Sequence, residues 1–373
     1  VYSGYEFAEG QGTFDSEAFD AYSLQSGNFI SSMAPIKREK AFPWDETLEA
    51  AQDWDYWLTA IKNGLKGVFV EGSGFITDTA KTGLSSEKWS AANRDETIKK
   101  VRHKHGIPDR EIGVFTVAYR TRAIEIARIL NADLIKPTGL TPTVYKIIFN
   151  LGYNFMSRFE NLAEGVTKIQ YWLPNEIEGL RNAKYLTVME TIRIAKGVTN
   201  YCNTAYEQNK LAELGITAQV LPLPLSKDEL SKASTELPKD FSVLIATDES
   251  YAELLKEIQV DLPHVKFGFN AGKVSDYSCF VSFYQFAALD NAMMIALVNG
   301  RHVISNVQAP FTGFIDQDQT WERFKKDLYD KIHEVMGKPF NKEAQAYYKA
   351  KANPEQFASV IQNHQRPILE VVA

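Results

Sequence analysis

Residues 44–57 read Trp-Asp-Glu-Thr-Leu-Glu-Ala-Ala-Gln-Asp-Trp-Asp-Tyr-Trp, the densest cluster of acidic and aromatic residues in the chain. Apolar side chains recur through and beyond it at the spacing i, i+3, i+4 and i+7, at Trp54, Trp57, Leu58 and Ile61. This spacing places them on one face of a helix, so an amphipathic helix with a buried aromatic stripe is predicted.

Two acids of this stretch, Asp53 and Asp55, flank the predicted apolar stripe, with Gln52 beside them. A carboxylate held against packed aromatic side chains can have its pKa raised by desolvation and act as a general base. The alternative is that both acids only favour the positive end of a helix. The pattern alone leaves both interpretations open.

Around this helix, residues 1–75 are predicted as strand, loop, strand, helix and strand. The strands are expected at 1–7, 28–36 and 66–75, and a helix over 50–63 with Gly64 as its C-cap. Residues 76–111 are polar and basic and are predicted as a linker or lid that stops at Gly106-Ile-Pro108. Within it, the run around His103 and His105 is predicted to be a solvated connector.

From Glu111 the sequence alternates apolar strands with amphipathic helices, the pattern of parallel sheets joined by crossover helices. The first such unit has predicted strands at 113–119, 133–136, 145–150, 168–173, 199–203 and 218–223, with helices at 121–132, 181–196 and 205–214. Thr204 and Glu207 form a predicted capping box before the last of these helices.

A second, smaller α/β unit follows a charged, turn-rich segment at 226–239. Its predicted strands are 241–246, 264–269, 278–283 and 302–306, with helices near 250–259, 287–299, 320–336, 341–352 and 354–363. Pro354 suits the first position of the last helix. Three domains are therefore predicted, at 1–105, 106–225 and 226–373.

The composition is that of an ordinary soluble globular protein, with 373 residues, 45% apolar and 24% charged. A net charge of −6 argues against a nucleic-acid partner held by electrostatics. No segment reaches 18 uninterrupted apolar residues, and the start, Val-Tyr-Ser-Gly-Tyr-Glu, lacks the features of a signal peptide, so a cytoplasmic protein is expected. Cys202 and Cys279 lie in strand-like runs, which favours buried reduced thiols.

The first part of the chain resembles the second half of a family 2 glycosyltransferase of the GT-A fold. The resemblance rests on Gly27-Asn28-Phe29-Ile30, Phe42, Asp45-Glu46, Gln52 to Leu58 and Gly64, and it covers roughly residues 1–85. It implies that Asp53 is the catalytic base that deprotonates the acceptor hydroxyl. The family's nucleotide-binding half, with its metal-holding Asp-x-Asp pair, would precede Val1 and is not in this sequence, so a divalent metal is left open and no metal ligand is predicted.

Residues 112–310 are similar to a GT-B glycosyltransferase of the family 4 type. The segments that carry this resemblance are Asn203 to Asn209, Leu214-Gly215-Ile216 with Val220-Leu-Pro222, and Ser282 to Gln285 with Ala296, Gly300, Val303-Ile304 and Asn306. It implies that a helix N-terminus and adjacent backbone amides hold a nucleotide diphosphate. The family's pair of glutamates is not present, since Ala287 and Ile295 occupy the nearest positions.

The candidate donor-binding residues are Tyr284, Gln285, Asp290 and Asn291, of which the last two can equally be helix caps. Arg120 and Arg122 stand where a glycine-rich loop would be expected and are candidates for phosphate or acceptor binding, or for solvated surface charge. Glu176 follows a predicted strand and can face a cleft or form a polar turn. Tyr171 and Trp172 are predicted to belong to the core.

These observations predict an α/β protein with two Rossmann-like, GT-B-like lobes preceded by a partial GT-A-like segment. The predicted function is transfer of a sugar from a nucleotide-sugar donor to a carbohydrate or lipid-linked acceptor. Two alternatives remain: a non-catalytic, glycosyltransferase-derived binding or scaffold module, and a Rossmann-type oxidoreductase. The oxidoreductase requires a Gly-x-Gly-x-x-Gly fingerprint, which residues 113–122 do not contain. The oligomeric state is not predicted.

Overall fold

The structure is a computed structural model. It describes residues 1–7, 13–14, 16–48, 50–77, 91–116, 119–135, 145–152, 156–162, 164–247, 251–269, 272–283, 291–316 and 319–364. The chain divides into two compact units. The first contains Val1–Phe115 and Thr121–Tyr145, and the second contains Thr116–Arg120 and Lys146–Ala373.

The first unit opens with a three-stranded sheet. Its strands are β1 (Tyr2–Phe7), β2 (Thr13–Phe14) and β3 (Phe69–Thr77), in the order β2-β1-β3. Strand β1 is antiparallel to β2 and parallel to β3. Helices α1 (Ala21–Ser26) and α2 (Gln52–Lys62) contact each other beside it.

The strand predicted over 28–36 is not formed. The side chain of Asn28 accepts a hydrogen bond from the amide of Ile30 at 3.0 Å, and that of Ser31 accepts one from Met33 at 3.1 Å. Such local side-chain bonds favour turns over a strand ladder, so this segment is a loop.

Helix α2 confirms the predicted aromatic stripe. Trp54, Trp57 and Leu58 are buried, and each indole N–H donates to a backbone carbonyl, that of Trp54 to Leu24 of α1 at 2.6 Å and that of Trp57 to Ile30 at 3.1 Å. Buried indoles need such partners because an unpaired polar group in a core is costly. The left-handed Gly64, with φ +81°, ends the helix region as predicted.

The prediction of a solvated basic connector is wrong from residue 91 onward, where the chain forms helix α3 (Ala91–His105). Ion pairs hold its last turn: Lys104 Nζ lies 2.8 Å from Asp55, and Arg102 lies 2.6 Å from Asp133. His105 is buried and its Nε2 lies 2.8 Å from Asp55. Val101 is buried in the apolar core of the unit and Ile98 packs against that core, so apolar contacts and ion pairs together secure the helix.

The first unit also contains β4 (Ile112–Phe115), α4 (Arg120–Leu130) and β5 (Asp133–Ile135), of which only Arg120 is assigned to the second unit. Strands β4 and β5 are parallel. The Tyr22 hydroxyl lies 2.8 Å from the carbonyls of both Ala127 and Ala132, so α1 is bonded to the α4–β5 turn. The predicted domain boundary near residue 105 stays a prediction.

The second unit begins with four strands, each parallel to the next: β6 (Ile147–Leu151), β7 (Thr167–Tyr171), β8 (Thr199–Cys202) and β9 (Gln219–Val220). Between them lie α5 (Pro174–Arg181), α6 (Tyr185–Ala195) and α7 (Ala205–Glu213). Within the second unit these strands are neighbours in the order β6-β7-β8-β9. The prediction missed α5, whose first residue, Pro174, is compatible with a helix start but with no other helical position.

The last sheet contains β10 (Ser242–Thr247), β11 (Lys266–Phe269), β12 (Cys279–Phe283), β13 (His302–Ser305) and β14 (Thr312–Phe314), all parallel, in the order β11-β10-β12-β13-β14. Helices α8 (Lys227–Ser231), α9 (Ala252–Asp261), α10 (Asn291–Val298), α11 (Trp321–Val335), α12 (Lys342–Lys351) and α13 (Pro354–Asn363) follow the predicted pattern, apart from the short α8. Strand β14 was also missed.

The α/β fold class with parallel sheets is confirmed. Tyr171, Trp172 and both cysteines are buried, as predicted, and burial raises the pKa of each thiol, which keeps it protonated. None of the helices in the described part of the chain combines the length and apolar character needed to cross a bilayer.

Candidate functional site

Asp53 lies in the first turn of α2, where a side chain from a distant loop holds it. Its Oδ2 accepts a hydrogen bond from Asn28 Nδ2 at 2.8 Å, and its Oδ1 accepts one from the amide of Trp54 at 2.9 Å. The carboxylate is half-buried. It is therefore fixed in orientation and still reachable by a ligand.

Helix α2 begins at an unfavourable backbone conformation. Ala51, its N-cap residue, has φ 54° and ψ 25°, and no side chain caps the helix. A left-handed alanine costs roughly 1–2 kcal/mol, and a missing N-cap hydrogen bond adds about 1 kcal/mol. Strain of this kind persists where surrounding contacts impose it, and it is frequent at functional sites.

Burial raises the pKa of Asp53 above its ordinary value, although the hydrogen bonds from Trp54 and Asn28 act in the opposite direction. Burial also raises the pKa of Tyr5, and the nearby charge of Asp53 raises it further. A carboxylate of increased basicity accepts a proton more readily near neutral pH. The site can therefore remove a proton from a hydroxyl group brought against Asp53.

Asp55, the other acid of the predicted pair, is in a different environment. It is 3% exposed and lies within 2.8 Å of both Lys104 Nζ and His105 Nε2. Its oxygens are occupied by these two partners, which join α2 to α3. The sequence pattern did not distinguish the two acids, whereas the structure places Asp55 within the packed core of the unit.

In the second unit, Glu176 lies in the first turn of α5, directly after β7, and it is buried. A side chain at Gly152 would meet Glu176 Oε1 at 2.5 Å, so the glycine, with φ +94°, allows this close approach. The carbonyl of Gly152 accepts a hydrogen bond from Asn150 Nδ2 at 2.5 Å. These residues lie at the carboxyl ends of β6 and β7, the edge at which ligands bind in open parallel sheets.

A second buried carboxyl, Glu207, follows β8 in the first turn of α7. It is 2% exposed, its Oε2 accepts from the amide of Asn203 at 2.7 Å, and its own amide donates to Thr204 Oγ1 at 3.2 Å. Its other oxygen, Oε1, has no hydrogen-bond partner among the residues that the structure describes. Burial raises its pKa to about 8. The capping box was predicted, but the burial of its glutamate was not, because nothing in the local sequence indicates it.

The remaining predicted site residues are not brought together by the described contacts. Arg122 pairs with Glu125 at 2.6 Å on α4, Arg120 is the half-buried first residue of that helix, and Asn291 is the exposed first residue of α10. Tyr284, Gln285 and Asp290 lie outside the described residues. Within the described ranges, no group of three or more His, Cys, Asp or Glu side chains is arranged to hold a metal ion.

Asn28 and Tyr5 extend the candidate site beyond the sequence prediction. Asn28 was noted only as part of a resemblance, and its distance along the chain from Asp53 gave no reason to pair them. Tyr5 belongs to β1, and its ring stacks on Phe75 of β3 at 4.9 Å. Only the tertiary structure brings the loop, the strand and the helix start together.

No protein-family model and no curated protein matches the chain. Several solved glycosyltransferases resemble it in structure. A sucrose-phosphate synthase from Thermosynechococcus elongatus has 9% identity and a TM-score of 0.48, with 69% of this chain and 98% of that one covered. A glycosyltransferase from Rickettsia africae has 9% identity and a TM-score of 0.45, with 71% of this chain and 100% of that one covered. WaaG, a glycosyltransferase involved in lipopolysaccharide biosynthesis, has 11% identity and a TM-score of 0.38, with 67% of this chain and 99% of that one covered.

Proposed function

We propose that this protein is a glycosyltransferase that moves a sugar from a nucleotide-sugar donor to a hydroxyl group of a carbohydrate or lipid-linked acceptor. Asp53 is the general base. As its carboxylate takes the hydroxyl proton, the acceptor oxygen attacks the anomeric carbon, and the bond to the nucleotide diphosphate breaks with its electron pair on the diphosphate. A positioned base contributes roughly 10²–10⁴ to such a rate.

The observation that carries this proposal is the state of Asp53. Its carboxylate is half-buried, oriented by Asn28 at 2.8 Å, and of raised pKa because of burial. A carboxylate with only a structural role is expected to have both oxygens paired with basic side chains, as Asp55 has with Lys104 and His105. The strained Ala51, two residues before it, supports the same conclusion.

Donor binding is proposed for residues of the second unit. Tyr284, Gln285, Asp290 and Asn291 are the candidates for the nucleotide and sugar. Arg120, Arg122 and Glu176 are the candidates for phosphate or acceptor contacts. A nucleotide sugar is the only cofactor proposed, and a divalent metal remains open.

The test is a transfer assay with a panel of nucleotide sugars, comparing the wild type with Asp53→Asn and Asp290→Asn. Glu46→Gln is the matched control, because Glu46 is an exposed acid in the same stretch. We expect Asp53→Asn to abolish transfer and to keep donor binding, while Glu46→Gln behaves as the wild type. Loss from Asp290→Asn alone would assign the reaction to the second unit and contradict a catalytic role for Asp53.

The second candidate is a non-catalytic binding or scaffold module, favoured by Ala287 and Ile295 in place of the glutamate pair. Calorimetry with the same nucleotide sugars separates the two functions. If the wild-type chain binds no donor, the enzyme proposal fails. Donor binding without transfer to any acceptor of the panel would favour the module.

A further inference from the structure

The first unit contains an apolar cavity of about 470 Å³ that the proposed reaction does not use. It is lined by the start of β1, the loop around 30–37, the second half of α2 and the segment 65–68. Tyr2 lines this cavity, whereas Tyr5, three residues along the same strand, lies near Asp53. The residues that line the cavity include neither Asp53 nor Asn28, so the candidate catalytic carboxylate is not part of its wall.

The walls offer little to a polar ligand. Phe19, Ile30, Trp57 and Ile61 are among the lining side chains. The polar atoms of the aromatic wall are already bonded to carbonyls: Trp57 Nε1 donates to Ile30 at 3.1 Å and the Tyr2 hydroxyl donates to Glu17 at 2.6 Å. A sugar or nucleobase would lose its hydrogen bonds to water here without replacement. An alkyl or isoprenoid chain would lose none.

Gly67 closes one wall. A Cβ at this position would lie 2.6 Å from the Phe19 ring and 2.7 Å from the Tyr2 ring, so the backbone lies directly on both aromatic rings. The volume falls within the range of about 300–1,000 Å³ typical of small-molecule sites. The cavity therefore has the dimensions of a ligand site with packed walls.

The charged residues of the lining are all of one sign. Lys37, Lys40 and Lys66 line the cavity together with no aspartate or glutamate, in a chain whose net charge is −6. All three are exposed, and none forms an ion pair with an acidic side chain in the described part of the chain. An apolar interior beside three unpaired ammonium groups is complementary to a chain-like molecule with an anionic head.

We propose that this cavity binds an anionic amphiphile, with its hydrocarbon chain against Trp57 and Phe19 and its carboxylate or phosphate head at Lys37, Lys40 and Lys66. This binding is independent of glycosyl transfer. The two head groups correspond to two sources, a free fatty acid and a phosphate-headed lipid, and both share the same chain-and-anion chemistry.

The test uses four twelve-carbon probes below their micelle concentrations: dodecanoate, dodecyl phosphate, dodecyl maltoside and dodecyltrimethylammonium. Calorimetry should show that the wild-type chain binds both anions at least about tenfold more tightly than the cation. A tenfold difference in affinity is about what a few exposed ion pairs together supply. A tenfold preference between the anions identifies the natural source. No binding of either anion, or equal binding of the cation, would overturn the proposal.

The triple variant Lys37→Gln/Lys40→Gln/Lys66→Gln changes only exposed residues and should fold normally. We expect about tenfold weaker binding of both anions and no change for dodecyl maltoside. Lys62→Gln is the matched control, because Lys62 is exposed at the end of α2 and does not line the cavity. Asp53→Asn should bind the probes as the wild type does. An equal loss in Lys62→Gln and the triple variant would show that only general surface charge is involved.

Discussion

Asp53 and Glu207 are both buried or half-buried carboxyls in the first turn of a helix, yet their surroundings differ. Glu207 is held by its own neighbours, the amide of Asn203 and the hydroxyl of Thr204, and it completes the start of α7. Asp53 is held by Asn28, 25 residues earlier, and its helix starts from an uncapped, left-handed Ala51. A carboxyl bonded by its neighbours stabilises the helix. A carboxyl positioned from a distance, at a cost in local stability, is suited to chemistry.

The largest expected difference is in activity. Asp53→Asn should reduce transfer by about 10²–10⁴, because the amide cannot accept a proton, whereas Glu207→Gln should retain the wild-type rate. Burial raises the pKa of Asp53 in the folded state, so its ionisation costs stability as pH rises through that value. Asp53→Asn should therefore unfold at neutral pH at an equal or higher urea concentration than the wild type. A stable Asp53→Asn variant with full activity would contradict the proposed difference between Asp53 and Glu207.

The next largest expected effect is the pH dependence of the protein's stability that titration of Glu207 causes. Burial raises its pKa from 4.5 to about 8, so the folded carboxyl keeps a proton that the unfolded chain releases. The stabilisation is complete below about pH 4.5 and is lost as pH rises through 8, by on the order of 4 kcal/mol. Urea unfolding at pH 5 and pH 9 measures it. Glu207→Gln should flatten the dependence, whereas Glu213→Gln, an exposed acid at the end of the same helix, should leave it intact.

A smaller effect is expected from the residue that positions Asp53. Asn28→Ala removes a hydrogen bond to the carboxylate, and such bonds are worth about 1.5–3 kcal/mol, or roughly 10- to 100-fold in rate. Because this bond lowers the pKa of Asp53, its loss should also move the acidic limb of the pH–rate profile to higher pH. Asn63→Ala, which removes an exposed bond to Thr59 at the other end of α2, is the control. A reduced rate with an unchanged pH profile would indicate only a structural role for Asn28.

The smallest effect is at the backbone. Ala51→Gly should raise the free energy of unfolding by about 0.5–1 kcal/mol, because glycine relieves the left-handed strain and only part of this gain is offset by its greater freedom in the unfolded chain. The same change at Ala60, buried in the last turn of α2 and in an ordinary helical conformation, should lower stability instead. Chemical denaturation of both variants gives the comparison. A loss of stability in Ala51→Gly would show that the conformation at residue 51 is not strained.

Much of the fold follows from local patterns. The aromatic stripe of α2 and the alternation of strands and helices after residue 111 are visible because apolar residues repeat with the period of each element. The prediction fails where other interactions decide. The loop at 28–36 has apolar residues but is bent by the side chains of Asn28 and Ser31. In α3 the apolar contacts of Ile98 and Val101 lie within a run of charged residues, two of which pair with Asp55 and Asp133.

The sequence by itself determined the fold class, the helix that carries Asp53, the buried state of Tyr171 and Trp172, and Thr204 as the N-cap of α7. Each of these depends on residues close together in the chain. Only the tertiary structure decided that Asp53 is positioned by Asn28 while Asp55 is paired with Lys104 and His105. The two acids have the same charge and nearly the same place in the sequence. Their roles differ because burial and bonding partners depend on segments far apart in the chain, which spacing along a helix does not encode.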